Sequence, residues 1–156
     1  MSWSYVHSDR VRFGDLDPMG HVNNVDFLRF FESARIAFHR SIVPDHDVSR
    51  PPSAFGVVVA ELHANYRAPA YYDEDLRTAV RPADLARSSY KLEFETRADE
   101  RLLVEGHAVL VGYSYERNES VPLPDDLRAR LERAMQAKPP PGGGAWSSGV
   151  TRAIAK

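Results

Sequence analysis

The sequence predicts an α+β fold: one long helix, a five-stranded antiparallel sheet and a short closing helix. Three observations predict it. Apolar residues recur at steps of three and four between Val25 and Ile42, the period of one helix face. Elsewhere they mostly alternate at period two, the mark of a strand with one buried side. The joints between the alternating runs are short, whereas parallel strands need crossovers of about a dozen residues or more, so the strands run antiparallel.

Taken in chain order, the first strand runs from about Tyr5 to Gly14. The long helix follows, with Phe27, Phe30, Phe31, Ala34, Phe38 and Ile42 on one face and Leu28, Ile36 and Ala37 widening it beyond what a surface helix needs. Asn23 and Asn24 are its N-cap candidates, Asp26 suits its first turn, and Pro44 stops it. After a loop with Arg50, Pro51 and Pro52, a second strand places Val58, Ala60, Leu62, Ala64 and Tyr66 on an apolar face opposite Glu61, His63, Asn65 and Arg67. Three more strands are expected at Leu76 to Pro82, Ser89 to Arg97 and Leu102 to Tyr115. The closing helix, Asp125 to Met135, has Pro124 near its start and carries Leu127, Leu131 and Met135 at i, i+4 and i+8. One helix does not cover both faces of five strands, so the sheet either curls around it or meets a second subunit. The domain is expected to span 1–137, and 138–156, opening with three prolines and three glycines, to form a flexible tail.

Composition narrows the function. At 156 residues the chain has material for one core. The 43% hydrophobic and 27% charged residues fit a globular protein, and a net charge of −2 offers no global positive field for nucleic acid or an anionic membrane. With no cysteine, disulfides, thiolate metal sites and a thiol nucleophile are excluded. Charges at Asp9, Arg10 and Arg12 interrupt any signal-peptide core, and the longest apolar stretch, Phe55 to Ala60, is far short of a membrane span. A cytoplasmic protein is expected.

The chemistry concentrates between the first strand and the helix. Asp15, Asp17, His21, Asn23 and Asn24 fall within ten positions, directly before the positive end of a mostly apolar helix. Asp17-Pro18-Met19-Gly20 has the residue preferences of a type I turn. Singly, each residue has a structural reading: Asp17 bonds its own turn, and Asn23 caps the helix. Together they place a carboxylate beside free helix N–H groups, which polarise a carbonyl and stabilise a developing oxyanion. The carboxylate attacks or deprotonates water from the other side.

The run RFGDLDPMGHVNNVDFLRFFESARIAFHR resembles the signature of the hotdog-fold acyl-CoA thioesterases, the group that includes 4-hydroxybenzoyl-CoA thioesterase. GHVNN is also similar to the plant-type acyl-ACP thioesterases. The resemblance extends through Tyr66-Arg67-Ala68-Pro69-Ala70-Tyr71-Tyr72-Asp73 and Ser88-Ser89-Tyr90 to Pro122-Leu123-Pro124, about Val6 to Met135 in all. It implies a hotdog fold, a curved five-stranded antiparallel sheet wrapped around one long central helix. It further implies a homodimer or a homotetramer built as a dimer of dimers, with the active site between subunits. By resemblance Asp17 is the catalytic carboxylate, either nucleophile or general base. Backbone N–H groups around Asn23, Asn24 and Val25 form the oxyanion site. The substrate is an acyl-CoA, and neither a metal nor a cofactor is implied.

His21 matches a histidine assigned to catalysis or positioning in the GHVNN branch, and takes a supporting role here; the other reading is a buried, hydrogen-bonded imidazole. Other branches carry a Tyr and a His where this chain has Phe13 and Asn24. Arg67 and Arg87, near strand ends, are candidates for coenzyme A phosphates, and Ser89 is a further substrate-binding candidate without a serine-hydrolase context. Glu32 and Arg35 read as an intrahelical ion pair. The Asp45-His46-Asp47 run reads as a solvated loop. The alternatives to an acyl-CoA thioesterase are an acyl-ACP thioesterase, a noncatalytic acyl-CoA-binding hotdog module, and a hotdog hydratase, whose motif is absent.

Overall fold

A computed structural model describes residues 2–45 and 54–136. The Arg50–Pro52 loop, His46, Asp47 and the 138–156 tail lie outside the described residues. The elements are β1 (Tyr5–Arg10), a 3-10 turn (Phe13–Asp15), α1 (Asn24–Ile42), β2 (Phe55–Tyr66), β3 (Asp75–Ala83), β4 (Ser89–Ala98), β5 (Arg101–Ser114), β6 (Glu119–Ser120) and α2 (Asp125–Gln136). The strands form one antiparallel sheet in the order β1-β3-β4-β5-β2, with β6 paired to β5. The sheet therefore has six strands rather than five, because Glu119 and Ser120 double back on Tyr113 and Ser114.

The first strand stops at Arg10 instead of reaching Gly14. There the Asp15 carboxylate takes the Arg12 N–H at 2.8 Å and winds the chain into the 3-10 turn. In α1, Asn23 caps the helix, its side chain accepting the Val25 N–H at 3.0 Å, and the predicted face buries Phe27, Phe30, Phe31, Ala34 and Phe38. Phe31 stacks on Phe94 of β4 with ring centroids 4.1 Å apart, tying the helix to the middle of the sheet. The single long central helix is corrected to two helices in the core: α2 adds Leu127, Leu131 and Ala134 to the same cluster as α1. Met135, which the spacing aligns with Leu127 and Leu131, is 45% exposed. At about 100° per residue it lies about 80° round the helix from Leu127, while Ala134 returns to within about 20°.

Strand β2 departs from simple alternation. The register pairs Val59 with Leu110 and Glu61 with Val109, leaving Ala60 as the extra residue of a bulge. A one-residue slip exchanges faces. Phe55 and Val57 therefore pack on the core before the bulge and Ala64 after it, so Val58 and Leu62 do not share one continuous buried face. β2 ends the sheet, and Leu62 and Tyr66 are both substantially exposed on it. No helix among the described residues is long and apolar enough to cross a membrane.

Candidate active site

The Asp15–Asn24 segment folds as a small hairpin held on both sides by main chain. Leu16 bridges Val22, the Asp17 N–H donates to the His21 carbonyl at 2.9 Å, and the Gly20 N–H closes the turn on the Asp17 carbonyl at 3.0 Å. Gly20 has φ +84°, the left-handed conformation that follows a type I turn in a three-residue hairpin loop. Val22 is buried in the core and donates to the Ala70 carbonyl, and the Asn23 N–H donates to the Asp15 carbonyl. The hairpin is thus pinned to the β2–β3 connection on one side and to the start of α1 on the other.

Within it, the Asp17 side chain is 15% exposed. Its Oδ1 accepts the Met19 N–H at 2.9 Å, and its Oδ2 faces His21 Nδ1 at 3.4 Å. Among the described residues no Arg or Lys forms an ion pair with Asp17. Asp15 is different. It is buried, and its carboxylate is taken up by the Arg12 N–H and guanidinium, which holds the guanidinium above its ordinary pKa. Asp15 therefore builds the turn, while Asp17 keeps part of its carboxylate surface exposed. Among the described residues no group of three or more His, Asp or Glu is arranged to hold a metal ion.

The helix start offers one open donor. The Asn23 and Val25 N–H groups are engaged by Asp15 and by the Asn23 side chain, and the Asp26 N–H turns back to the Asn23 carbonyl. Among the described residues nothing accepts the Asn24 N–H, and Asn24 and Val25 are exposed. Tyr66 leans over this turn, its hydroxyl donating to the Asn24 carbonyl at 3.0 Å and its ring 5.9 Å from Phe27. Sequence reading placed Tyr66 on a strand face and among the aromatics open to lining an acyl pocket, but not on the helix start, because the two partners are 42 positions apart. Phe13, Met19, Val25 and Tyr72 add exposed apolar surface around the same end.

The remaining candidates divide between the two ends of the sheet. Arg67 sits at the Asp17 end, directly after β2, where its guanidinium binds Glu105 at 2.9 Å. Ser89 opens β4, and Arg87 is exposed just before it, its carbonyl accepting from Leu123 N–H and Arg128. β4 spans about 30 Å at 3.3 Å per residue, and its other end pairs with the start of β3, near the hairpin. Within one chain, then, Arg67 joins the neighbourhood of Asp17, and Arg87 and Ser89 do not. Glu32 and Arg35 approach to 3.8 Å as an i,i+3 pair, as their spacing predicts.

Comparison with known proteins bears on the fold and the family. The chain is 32% identical to a thioesterase complexed with coenzyme A and Zn from Thermus thermophilus, with TM-score 0.74 over 86% of this chain and 96% of that one. It is 30% identical to a thioesterase superfamily structure from a Jannaschia species, with TM-score 0.73 over 85% and 83%. A curated relative, the uncharacterized protein YsmA of Bacillus subtilis, is 27% identical over 132 residues, 83% of this chain and 86% of that protein. Residues 11–131 match the model of the thioesterase-like superfamily, and the chain belongs to that superfamily.

Proposed function

We propose that the protein hydrolyses acyl-CoA thioesters, RCO–S–CoA and water giving RCOOH and CoA, with Asp17 as the reacting carboxylate. The observation that carries this reading is the hairpin itself: it fixes a largely buried carboxylate, with no Arg or Lys paired to it among the described residues, in the segment that leads into a helix start whose Asn24 N–H is open. As nucleophile, Asp17 Oδ2 bonds to the thioester carbon and the C–S bond breaks. Water then cleaves the mixed anhydride and restores the carboxylate. As general base, Asp17 takes a proton from water as that water attacks. In either route the carbonyl oxygen gains negative charge, which the helix N-terminus stabilises. The leaving thiolate needs little assistance, since thiols are far stronger acids than alcohols, a free cysteine ionising at about pH 8.5. His21, beside Oδ2, orients the carboxylate.

The coenzyme A in the Thermus thermophilus relative supports a CoA ester over an acyl-carrier-protein substrate. A second copy of the chain completes the reading. β2 is a sheet edge of twelve residues with Leu62 and Tyr66 exposed, the kind of edge that proteins otherwise shield. Antiparallel pairing of two such edges turns one sheet end for end against the other. That brings Arg87 and Ser89 of one copy to the same side of the assembly as Asp17 of the other.

The test is a panel of benzoyl-, butyryl- and palmitoyl-CoA, with butyryl-ACP alongside, read by thiol release. The protein has no cysteine, so the signal comes from product alone. Turnover of at least one CoA ester is expected. Binding without turnover on every ester would establish a noncatalytic module instead, and turnover of the ACP ester alone would change the carrier.

A further inference from the structure

We infer that Tyr66 is a positioning residue for the oxyanion site, acting through the peptide group that links Asn24 to Val25. This inference rests on the proposed thioester hydrolysis. The Tyr66 hydroxyl donates to the Asn24 carbonyl at 3.0 Å, and the amide at the other end of that same peptide, the Val25 N–H, is held by Asn23 Oδ1 at 3.0 Å. The first peptide of α1 is therefore gripped at both ends, one grip coming from the cap and the other from the sheet. A hydrogen bond on that carbonyl polarises the amide and strengthens the Val25 N–H as a donor to its Asn23 cap, which firms the first turn. It also fixes the plane of the peptide that follows the open Asn24 N–H.

The location of Tyr66 makes this a functional rather than a folding contact. The hydroxyl is not needed to satisfy a buried group: Tyr66 is 44% exposed, and the Asn24 carbonyl lies in the first helical turn, where it has its own intrahelical acceptor role. The ring rests at the rim on Phe27, 5.9 Å between centroids, so a Phe at this position keeps the packing and loses only the hydroxyl. Tyr66 is also the last residue of the edge strand β2. The contact thus couples the helix start to the sheet edge, so that a shift of that edge is felt by the peptide that directly follows the open Asn24 N–H.

The experiment compares wild type, Tyr66→Phe and Asp17→Asn on whichever CoA ester the panel shows to be turned over, with thermal melts and the amide NMR shifts of Asn24 and Val25. For Tyr66→Phe, kcat is expected to fall about tenfold with KM nearly unchanged, less than the 10²–10³ that losing an oxyanion donor itself costs. The melt stays at the wild-type temperature, and the Val25 amide shift moves. A purely structural role would move the melt or KM and leave kcat alone. Wild-type kcat in Tyr66→Phe while Asp17→Asn is inactive overturns this inference and leaves the proposed function standing. Wild-type rates in both variants overturn the two together.

Discussion

The Oδ2 atom of Asp17 stands 3.4 Å from Nδ1 of His21 across a turn of five residues, while Oδ1 is fixed by the Met19 N–H at 2.9 Å. One carboxylate oxygen is thus bound by its own turn and the other lies against an imidazole. Replacing His21 by Gln removes the ring but leaves the turn, whose bonds are main chain on both strands. His21→Gln is expected to lower kcat by about tenfold, below the 10²–10⁴ typical of a lost general acid or base. Steady-state kinetics of the two proteins check this. A fall of a thousandfold or so would make the imidazole a proton-transfer group in its own right.

Gly106 marks a second constraint, in the sheet behind the site. A Cβ added there would lie 1.9 Å from the His63 carbonyl oxygen, which is backbone and has no rotamer by which to yield. Gly106→Ala is expected to destabilise the fold by about 2 kcal/mol or more, the upper part of the usual range for overpacking, with a melting point lower by roughly 5 °C or more. Thermal circular dichroism measures it. An unchanged melt would mean that β2 and β5 separate at this point without cost.

Burial of Tyr90 predicts a loss of stability in alkali. It is almost fully buried on β4 with its hydroxyl on His39 Nε2, and burial raises its phenol well above the ordinary value of 10.0, with the Arg35 charge partly opposing the rise. Because the folded-state pKa lies above the unfolded one, the fold retains this contribution in full below about pH 10 and loses it as pH climbs toward the folded value. Urea midpoints are therefore expected to be level up to about pH 9.5 and to decline above it. Tyr90→Phe should be less stable at neutral pH by about 1 kcal/mol, from the lost hydrogen bond, and should decline less steeply in alkali. Parallel slopes for the two proteins would assign the alkaline loss to other groups.

Much of this was readable before any coordinate. The spacing of Phe27, Phe30, Phe31, Ala34 and Phe38 identified the buried face of α1, because a helix repeats its contacts every three to four residues whatever surrounds it. The turn at Asp17 and the cap at Asn23 were legible for the same reason, their bonds being local. What escaped depends on pairing across the chain. The bulge at Ala60 shows itself only against Leu110 and Val109, and β6 only against Tyr113 and Ser114. Arg67 reads from sequence as a phosphate-binding candidate near a strand end, and its Glu105 partner is 38 positions away. The bond from Tyr66 to the Asn24 carbonyl likewise shows itself only when the end of β2 is brought over the first turn of α1.

The central claim is that the Asp17 carboxylate does the chemistry and that the turn merely presents it. Asp17→Asn separates the two, since an amide keeps Oδ1 for the Met19 N–H and removes the charge and the reactive oxygen. With the melting temperature unchanged, thiol release from the preferred CoA ester is expected to fall by about a thousandfold or more, as for loss of a nucleophile or its base. A rate within about twofold of wild type, beside that unchanged melt, would contradict the account, because so small a difference, about 0.4 kcal/mol in barrier, leaves the carboxylate no part in the reaction.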